Sequence, residues 1–518
     1  MTASTAKAVG SVGSLASLAS LGSLSSLATL AVAAALAAAA VPLEAQLSRG
    51  ERLPVREVTL DNGLRVLLLP REGAPTVSFV MHFRVGGVNE HIGTTGIAHL
   101  LEHMLFKGTE SIGSTDPEAE RPLFARMDAV QDSLLAARAA GDEERARILA
   151  DRIEGLEDDA RMFVVPNELD RILTRAGARG LNATTSSEAT MYYVELPANR
   201  AELFFALEAD RMSNPVFREF YSERDVVTEE RRQRVDTSPG GLLYETHLGA
   251  AFLMHPYGVP VVGYMSDLES LRRPDVEDYY RRFYAAGNAV LAVVGSFDVE
   301  QVERWAGRYL GALPTGERPD PILAVEPPQR GERRVEVEWD AQPQLRIGWH
   351  VPAAAHPDAP ALAVLSAVLS GGRTSRLYRR LVTEDRTSTG VFTSLGPGSL
   401  YPQLFQIDAT PRAPHTTAEL EEAIYEEIAT LVRDGPTADE VERVRNQIAA
   451  GAIRRMQSNL GLAIQLAESE SLLGDWRETF RSSARLTAVT PEDVRRVAAR
   501  YFDAANRTVA TLVTAEGT

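Results

Sequence analysis

The chain has 518 residues, 44% of them hydrophobic and 24% charged, with a formal net charge of −17 and no cysteine. Such a length exceeds what one hydrophobic core serves and implies roughly two to four domains. The acidity argues against nucleic acid or an anionic membrane surface as a partner, and the missing cysteines exclude thiolate catalysis, Cys-ligated zinc and disulfides.

Taken in order, residues 1–45 carry Lys7, a Ser/Leu/Gly/Ala run, the apolar stretch Leu27 to Leu43, then Glu44-Ala45. This predicts a secretory signal peptide cleaved near Ala45, and so a periplasmic or secreted mature protein. The apolar stretch only just reaches bilayer-spanning length, so an uncleaved anchor is the alternative and the one route to a membrane. Residues 55–69 alternate Val and Leu with polar residues around Asn62-Gly63, which predicts a hairpin with a type I′ turn. Val77 to Val85 is a further strand, broken by Gly86-Gly87.

The stretch GIAHLLEHMLFKG, Gly96 to Gly108, reads as a short helix capped by Thr95 and stopped at Lys107-Gly108. Ile97, Leu100, Leu101, Met104 and Leu105 make its apolar stripe, while His99, Glu102 and His103 share a different arc. At about 100° per residue, the two imidazoles face one point and a carboxylate stands beside them. His-x-x-Glu-His is the inverzincin order: two metal ligands with an acid/base between them.

Residues 117–165 are rich in Ala, Leu, Arg and Glu and interrupted at Gly141-Asp142, which predicts an inserted helical hairpin serving as decoration. Then come a short helix over 167–179, two strands in Leu181 to Leu196, a helix from Pro197 to Met212 and a long charged helix from Phe217 to Val235. A third ligand belongs on this last helix, where Glu229 and Glu230 are equally eligible by spacing and Glu223 shares a face with Glu230.

A Pro-led helix, an Asn turn and an apolar strand over 274–294 recur 218 positions later (493 − 275), pairing Asp275 with Asp493, Asn288 with Asn506 and Ala292 with Ala510. The repeat implies two homologous halves. The Pro-rich run 316–334 is the linker and hinge between them. The domains are therefore 46–315, which carries the metal motif and the insert 117–165, and 335–518, which lacks His-x-x-Glu-His.

GIAHLLEHMLFKGT, LNATTS, ERDVVTEERR and HPYG occur in that order, and together they resemble the pitrilysin/insulinase family of zinc peptidases, which includes the mitochondrial processing peptidases. The resemblance covers nearly everything after residue 45. It implies an α+β clamshell of two halves, each a mostly antiparallel sheet packed with helices. It implies one Zn²⁺ per chain held by His99, His103 and Glu230, with Glu102 as general base and Glu223 assisting. Asn182-Ala183 matches the family's edge strand, which hydrogen-bonds an extended peptide.

Two departures stand out. His103 and Glu230 are 127 positions apart (230 − 103), longer than usual, and the insert accounts for the excess. The family's carbonyl-gripping Arg and Tyr, expected after Gly371-Gly372-Arg373-Thr374-Ser375-Arg376-Leu377, fall at Val382 and Thr389, with Arg380 or Arg386 as substitutes. The expectation is an endopeptidase acting on peptides or unfolded polypeptides, as a homodimer or with a second family member. The rivals are a catalytic subunit that needs an Arg/Tyr-bearing partner chain and a non-catalytic binding or scaffold subunit of the same fold.

Overall fold

The computed structural model describes residues 53–514 apart from 317; the proposed signal peptide lies outside the described residues. Eleven strands form two sheets among those residues. The first holds β1 (Arg56–Thr59), β2 (Arg65–Pro70), β3 (Thr76–Phe83), β4 (Arg179–Thr185), β5 (Thr190–Pro197) and β6 (Ala289–Gly295), in the order β1-β2-β6-β3-β5-β4. The second holds β7 (Arg333–Trp339), β8 (Gln344–Val351), β9 (Ser388–Gly396), β10 (Gln403–Pro411) and β11 (Arg507–Thr514), in the order β7-β11-β8-β10-β9. In each sheet one pair is parallel, β2 with β6 and β7 with β11, and the rest are antiparallel. Strand for strand the second order repeats the first with β1 removed, which is the repeat seen in the sequence.

The first half carries helices α1 (Ile97–Met104), α2 (Pro117–Ala139), α3 (Glu143–Arg161), α4 (Glu168–Arg175), α5 (Ala201–Ser213), α6 (Phe220–Arg231), α7 (Pro239–Ala251), α8 (Met265–Ser270), α9 (Arg273–Phe283) and α10 (Val299–Trp305). The second carries α11 (Ala359–Ser370), α12 (Thr417–Asp434), α13 (Ala438–Gln457), α14 (Asn459–Glu468), α15 (Glu478–Ala488) and α16 (Pro491–Tyr501). Each half has its own core, Phe79, Leu100, Leu101, Phe205 and Leu291 in the first and Ile347, Trp349, Leu365, Phe405 and Val509 in the second.

The halves also exchange helices. Leu462, Ala463, Leu466 and Ala467 of α14 cover Leu67, Leu69, Val80, Val290, Ala292 and Val294 on the far face of the first sheet. In return, Leu243 of α7 packs with Val337, Ala510 and Leu512 of the second. A strand buried on both faces reads as a continuous apolar run, and β6, AVLAVVG, is one. Residues 314–332, apart from 317, are neither helix nor strand. They are tied to both halves rather than loose: Glu326 accepts from the Leu253, Met254 and His255 amides, and Gln329 donates to the Arg507 carbonyl.

Two local expectations are corrected. The β1–β2 loop pairs Thr59 with Arg65, and the Gly63 amide closes a turn onto the Leu60 carbonyl. Among its residues only Gly63 has positive φ, so the turn is a type I turn with a Gly bulge, not I′. Nor does Thr95 cap α1. Gly96 holds the cap position at φ 86, where a Cβ would meet the Val262 carbonyl at 2.6 Å. The buried Glu90 carboxylate accepts from the Gly96 and Ala98 amides, each at 2.8 Å, while Thr95 Oγ1 donates to Asp267.

Candidate metal centre

Helix α1 buries Ile97, Ala98, Leu100, Leu101 and Met104 in the first core, which turns His99, Glu102 and His103 toward α6 and β4. Helix α6 buries Val227, Thr228 and Arg231, and so presents Glu223 and Glu230, two turns apart, to α1. One oxygen of Glu230, Oε2, lies 3.7 Å from His99 Nε2 and 3.6 Å from His103 Nε2. These separations are too long for hydrogen bonds. They lie close to the roughly 3.3–3.4 Å edge of a tetrahedron with bonds of about 2.0–2.1 Å, so the three side chains fit a shared zinc ion. Ligand atoms of His99, His103 and Glu230 all lie within 4.8 Å of one another, and no other such group occurs among the described residues.

Glu229, one residue away, is exposed and bonds to Arg232 and Gln233. About 100° of helical turn separates it from the centre.

The surroundings fix protons and charges. Burial, reinforced by the neighbouring His103, lowers His99 to about 3, so its imidazole is neutral, as a ligand requires. Its Nδ1 is buried with no partner among the described residues. His103 is held differently: Nδ1 donates to Glu223 Oε1 at 2.9 Å. Burial opposes its charge, but the Glu223 hydrogen bond and charge outweigh it and raise its pKa. Glu223, against the effect of burial, is drawn down to about 2 by His103 and Lys107. Lys107 Nζ stands 2.5 Å from Glu223 Oε2. Glu223 therefore sits behind His103 and orients it, in the carboxylate–histidine arrangement common at metal sites. On the far side of Glu230, Oε1 pairs with Arg234 at 2.5 Å.

Glu102 is not bonded to a histidine. Its Oε2 accepts from Thr185 Oγ1 at 2.6 Å, at the end of β4. Burial raises its pKa, with the Thr185 hydrogen bond opposing. Among the described residues strand β4 pairs with β5 alone, as the edge strand of its sheet. Asn182 is exposed on that strand and Ala183 buried, and the register with β5 shifts between Arg179 and Asn182.

Val382 and Thr389 contribute neither a cation nor a phenol. Val382 packs against the second core, and Thr389 Oγ1 donates to the Thr410 carbonyl. Arg380 is held by Glu426 and the Ala423 carbonyl, and Arg386 sits in a left-handed turn at φ 56.

A family model described as Insulinase (Peptidase family M16) matches residues 65–120 and 165–263, passing over most of the helical hairpin. A second, Peptidase M16 inactive domain, matches 270–448. The chain belongs to the M16 family. A zinc protease, PqqE, of Helicobacter pylori is 29% identical over 367 residues, covering 68% of this chain and 69% of that one. An uncharacterized zinc protease, YmxG, of Bacillus subtilis is 24% identical over 454 residues, 86% of this chain and 96% of that one. The probable β subunit of the mitochondrial processing peptidase of Arabidopsis thaliana is 25% identical, covering 86% of this chain and 76% of the relative. The crystal structure of a protease from H. pylori superposes with a TM-score of 0.74 at 25% identity, over 89% of this chain and 99% of that one. A zinc peptidase-like function follows from membership in the family and from these relatives.

Nothing in the sequence marks Thr185, Arg234 or Glu90 for these roles, and Lys107 is marked there only as the stop of the helix.

Proposed function

We propose that this M16 chain is a zinc-dependent endopeptidase, acting outside the cytoplasm on peptides or unfolded polypeptides. The observation that carries the reading is Glu230 Oε2 standing nearly equidistant from the two imidazole Nε2 atoms, with Glu102 free of both. His99, His103 and Glu230 would hold one zinc ion. Zinc in such a site supplies a Lewis acid for the scissile carbonyl and makes water acidic enough to deprotonate near neutral pH.

Glu102 takes the proton from the attacking water and passes it to the leaving amine. Thr185 holds Oε2 of that carboxylate, leaving Oε1 for the proton. The burial that raises the Glu102 pKa lets the group keep a proton between the two steps. Glu223 fixes the His103 ring so that Nε2 carries the lone pair. The edge strand β4 at Asn182-Ala183 offers main-chain donors and acceptors to an extended peptide, and such pairing tolerates most sequences. Because β4 also carries Thr185, a peptide laid along it passes the general base.

A second reading has its own support. No Arg or Tyr stands at the expected positions of the second half, and Arg380 is already ion-paired. In that reading the chain is a catalytic subunit completed by a partner chain bearing both residues. A non-catalytic scaffold role is disfavoured by the complete His99, Glu102, His103 and Glu230 set. The residue 1–45 pattern supports export, and the substrate would then be extracytoplasmic. Digestion of an unstructured peptide mixture by the purified, zinc-loaded single chain tests the proposal. Chelator-sensitive cleavage is expected; cleavage only after an Arg/Tyr-bearing family member is added favours the second reading, and none in either case overturns both.

A further inference from the structure

We propose that the helical hairpin α2–α3 braces the metal centre, and that Glu157 within it is a positioning residue for the helix carrying Glu223 and Glu230. The inference rests on the zinc reading of His99, His103 and Glu230. It concerns a segment that lies mostly outside the family-model match and that the sequence reads as decoration.

Helix α6 begins without a cap of its own. Glu219 occupies the N-cap at φ 56, and its side chain makes no capping hydrogen bond. The first amides of a helix lack intrahelical partners and carry its positive end. Here the partner comes from α3. Glu157 Oε1 accepts from both the Ser222 amide and Ser222 Oγ, each at 2.9 Å. The next residue is Glu223, which holds the His103 ring. The capped turn is therefore the turn that orients a ligand.

Two further ties join the hairpin to both ligand helices. Asp128 of α2 accepts from Tyr221 of the same first turn at 3.2 Å and pairs with Arg273. Glu120 of α2 pairs with Arg218 at 3.2 Å, both side chains being 1% exposed. Arg218, just before α6, donates to the Lys107, Thr109 and Ile112 carbonyls, each at 2.9 Å. The base of the hairpin thus clamps the exit of α1 to the entry of α6. Its first-turn contacts act on Glu223, while Glu230 lies two turns further along.

The test is zinc affinity, read by chelator competition on the full mature protein, for wild type, Glu157→Ala, Glu157→Gln, Glu223→Gln and the double variant Glu157→Ala/Glu223→Gln. Glu157→Ala is expected to weaken zinc about tenfold, the lower end of the loss seen when a group bonded to a ligand is removed, because Glu157 acts through the turn that carries Glu223. Glu157→Gln keeps an acceptor oxygen in place and should restore most of the affinity. In the Glu223→Gln background, Glu157→Ala should add little, because both act on one contact. The exposed Arg147→Ala on the same hairpin should change nothing. If Glu157→Ala does not fold, Ser222→Ala, which removes one of the two bonds, should give a shift of about two- to threefold. A variant that lowers the melting temperature but leaves zinc affinity at the wild-type value overturns the brace, as do fully additive effects. A wild type that binds no zinc overturns the metal reading itself, and the brace with it.

Discussion

At the scale of single residues, the proposed chemistry depends on how two adjacent glutamates differ. Glu229 and Glu230 are indistinguishable by spacing, and only the family resemblance selects Glu230 before the structure is seen. The reason is geometric. One residue of helix is about 100° of rotation, and the direction of that rotation is set by burial of Val227, Thr228 and Arg231. His99 and His103, by contrast, are legible from the sequence because both lie on one short helix whose apolar stripe is unambiguous. Thr185 acts across a long sequence separation that no periodicity marks, whereas Arg234 stands four residues after Glu230, a spacing shared by many exposed helical ion pairs that does not by itself point to a metal site. Glu102, bonded to Thr185 and to no imidazole, is the group whose loss should separate binding from turnover. Glu102→Gln is expected to bind zinc as wild type does while cleaving peptide about 10²- to 10⁴-fold more slowly, the usual range for removing a general base. Cleavage by the variant at the wild-type rate, measured on the same peptide, would remove Glu102 from the mechanism.

At the scale of elements, strands and helices are legible where patterning is strong, and their ends are not. The β1–β2 hairpin is visible in its alternation, yet the Asn-Gly signal gives the wrong turn. The Asn62 side chain is buried and donates to the Leu310 and Leu313 carbonyls, so tertiary contacts set the loop. The cap of α1 likewise comes from Glu90 and not from the residue next to it. Helix α14 shows a third limit. Its apolar residues are evident in the sequence, but nothing local says that they cover the other half's sheet. Leu466 is fully buried there. Leu466→Ala should cost about 2–5 kcal/mol, as large-to-small core substitutions do. Urea unfolding measures it, and a loss under 1 kcal/mol would mean that α14 contributes little to joining the halves.

At the scale of the whole molecule, the repeat of helix, Asn turn and strand at residues 275–292 and 493–510 shows the two-half design, and the matching sheet orders carry it through. The exchange of α7 and α14 is not legible, because which face of a sheet an element covers depends on partners far apart in the chain. One consequence concerns acid. His247 of α7 sits between the halves, its ring against Gly348 and Nε2 donating to the Thr508 carbonyl at 3.3 Å. Burial, with the Arg346 charge nearby, lowers it to about 3, and burial of His82 in β3 lowers that group to about 4. Below the ordinary histidine value of about 6.5, the unfolded chain takes up protons that the folded one refuses. Stability is therefore undiminished above that value and declines as pH falls toward 4, by at most about 1.4 kcal/mol per pH unit per histidine. The urea midpoint of wild type should drop between pH 7 and pH 5, and His247→Gln should drop less steeply. Parallel slopes would show that His247 is not held neutral.

One zinc ion shared by α1 and α6 is the centre of the proposed activity, and X-ray absorption at the zinc edge addresses it most directly. The wild type is expected to hold one zinc per chain with two imidazoles and one carboxylate oxygen at about 2.0–2.2 Å, a pattern kept in Glu229→Gln and lost in Glu230→Gln. A spectrum showing fewer than two imidazoles, or one unchanged by Glu230→Gln, would contradict it.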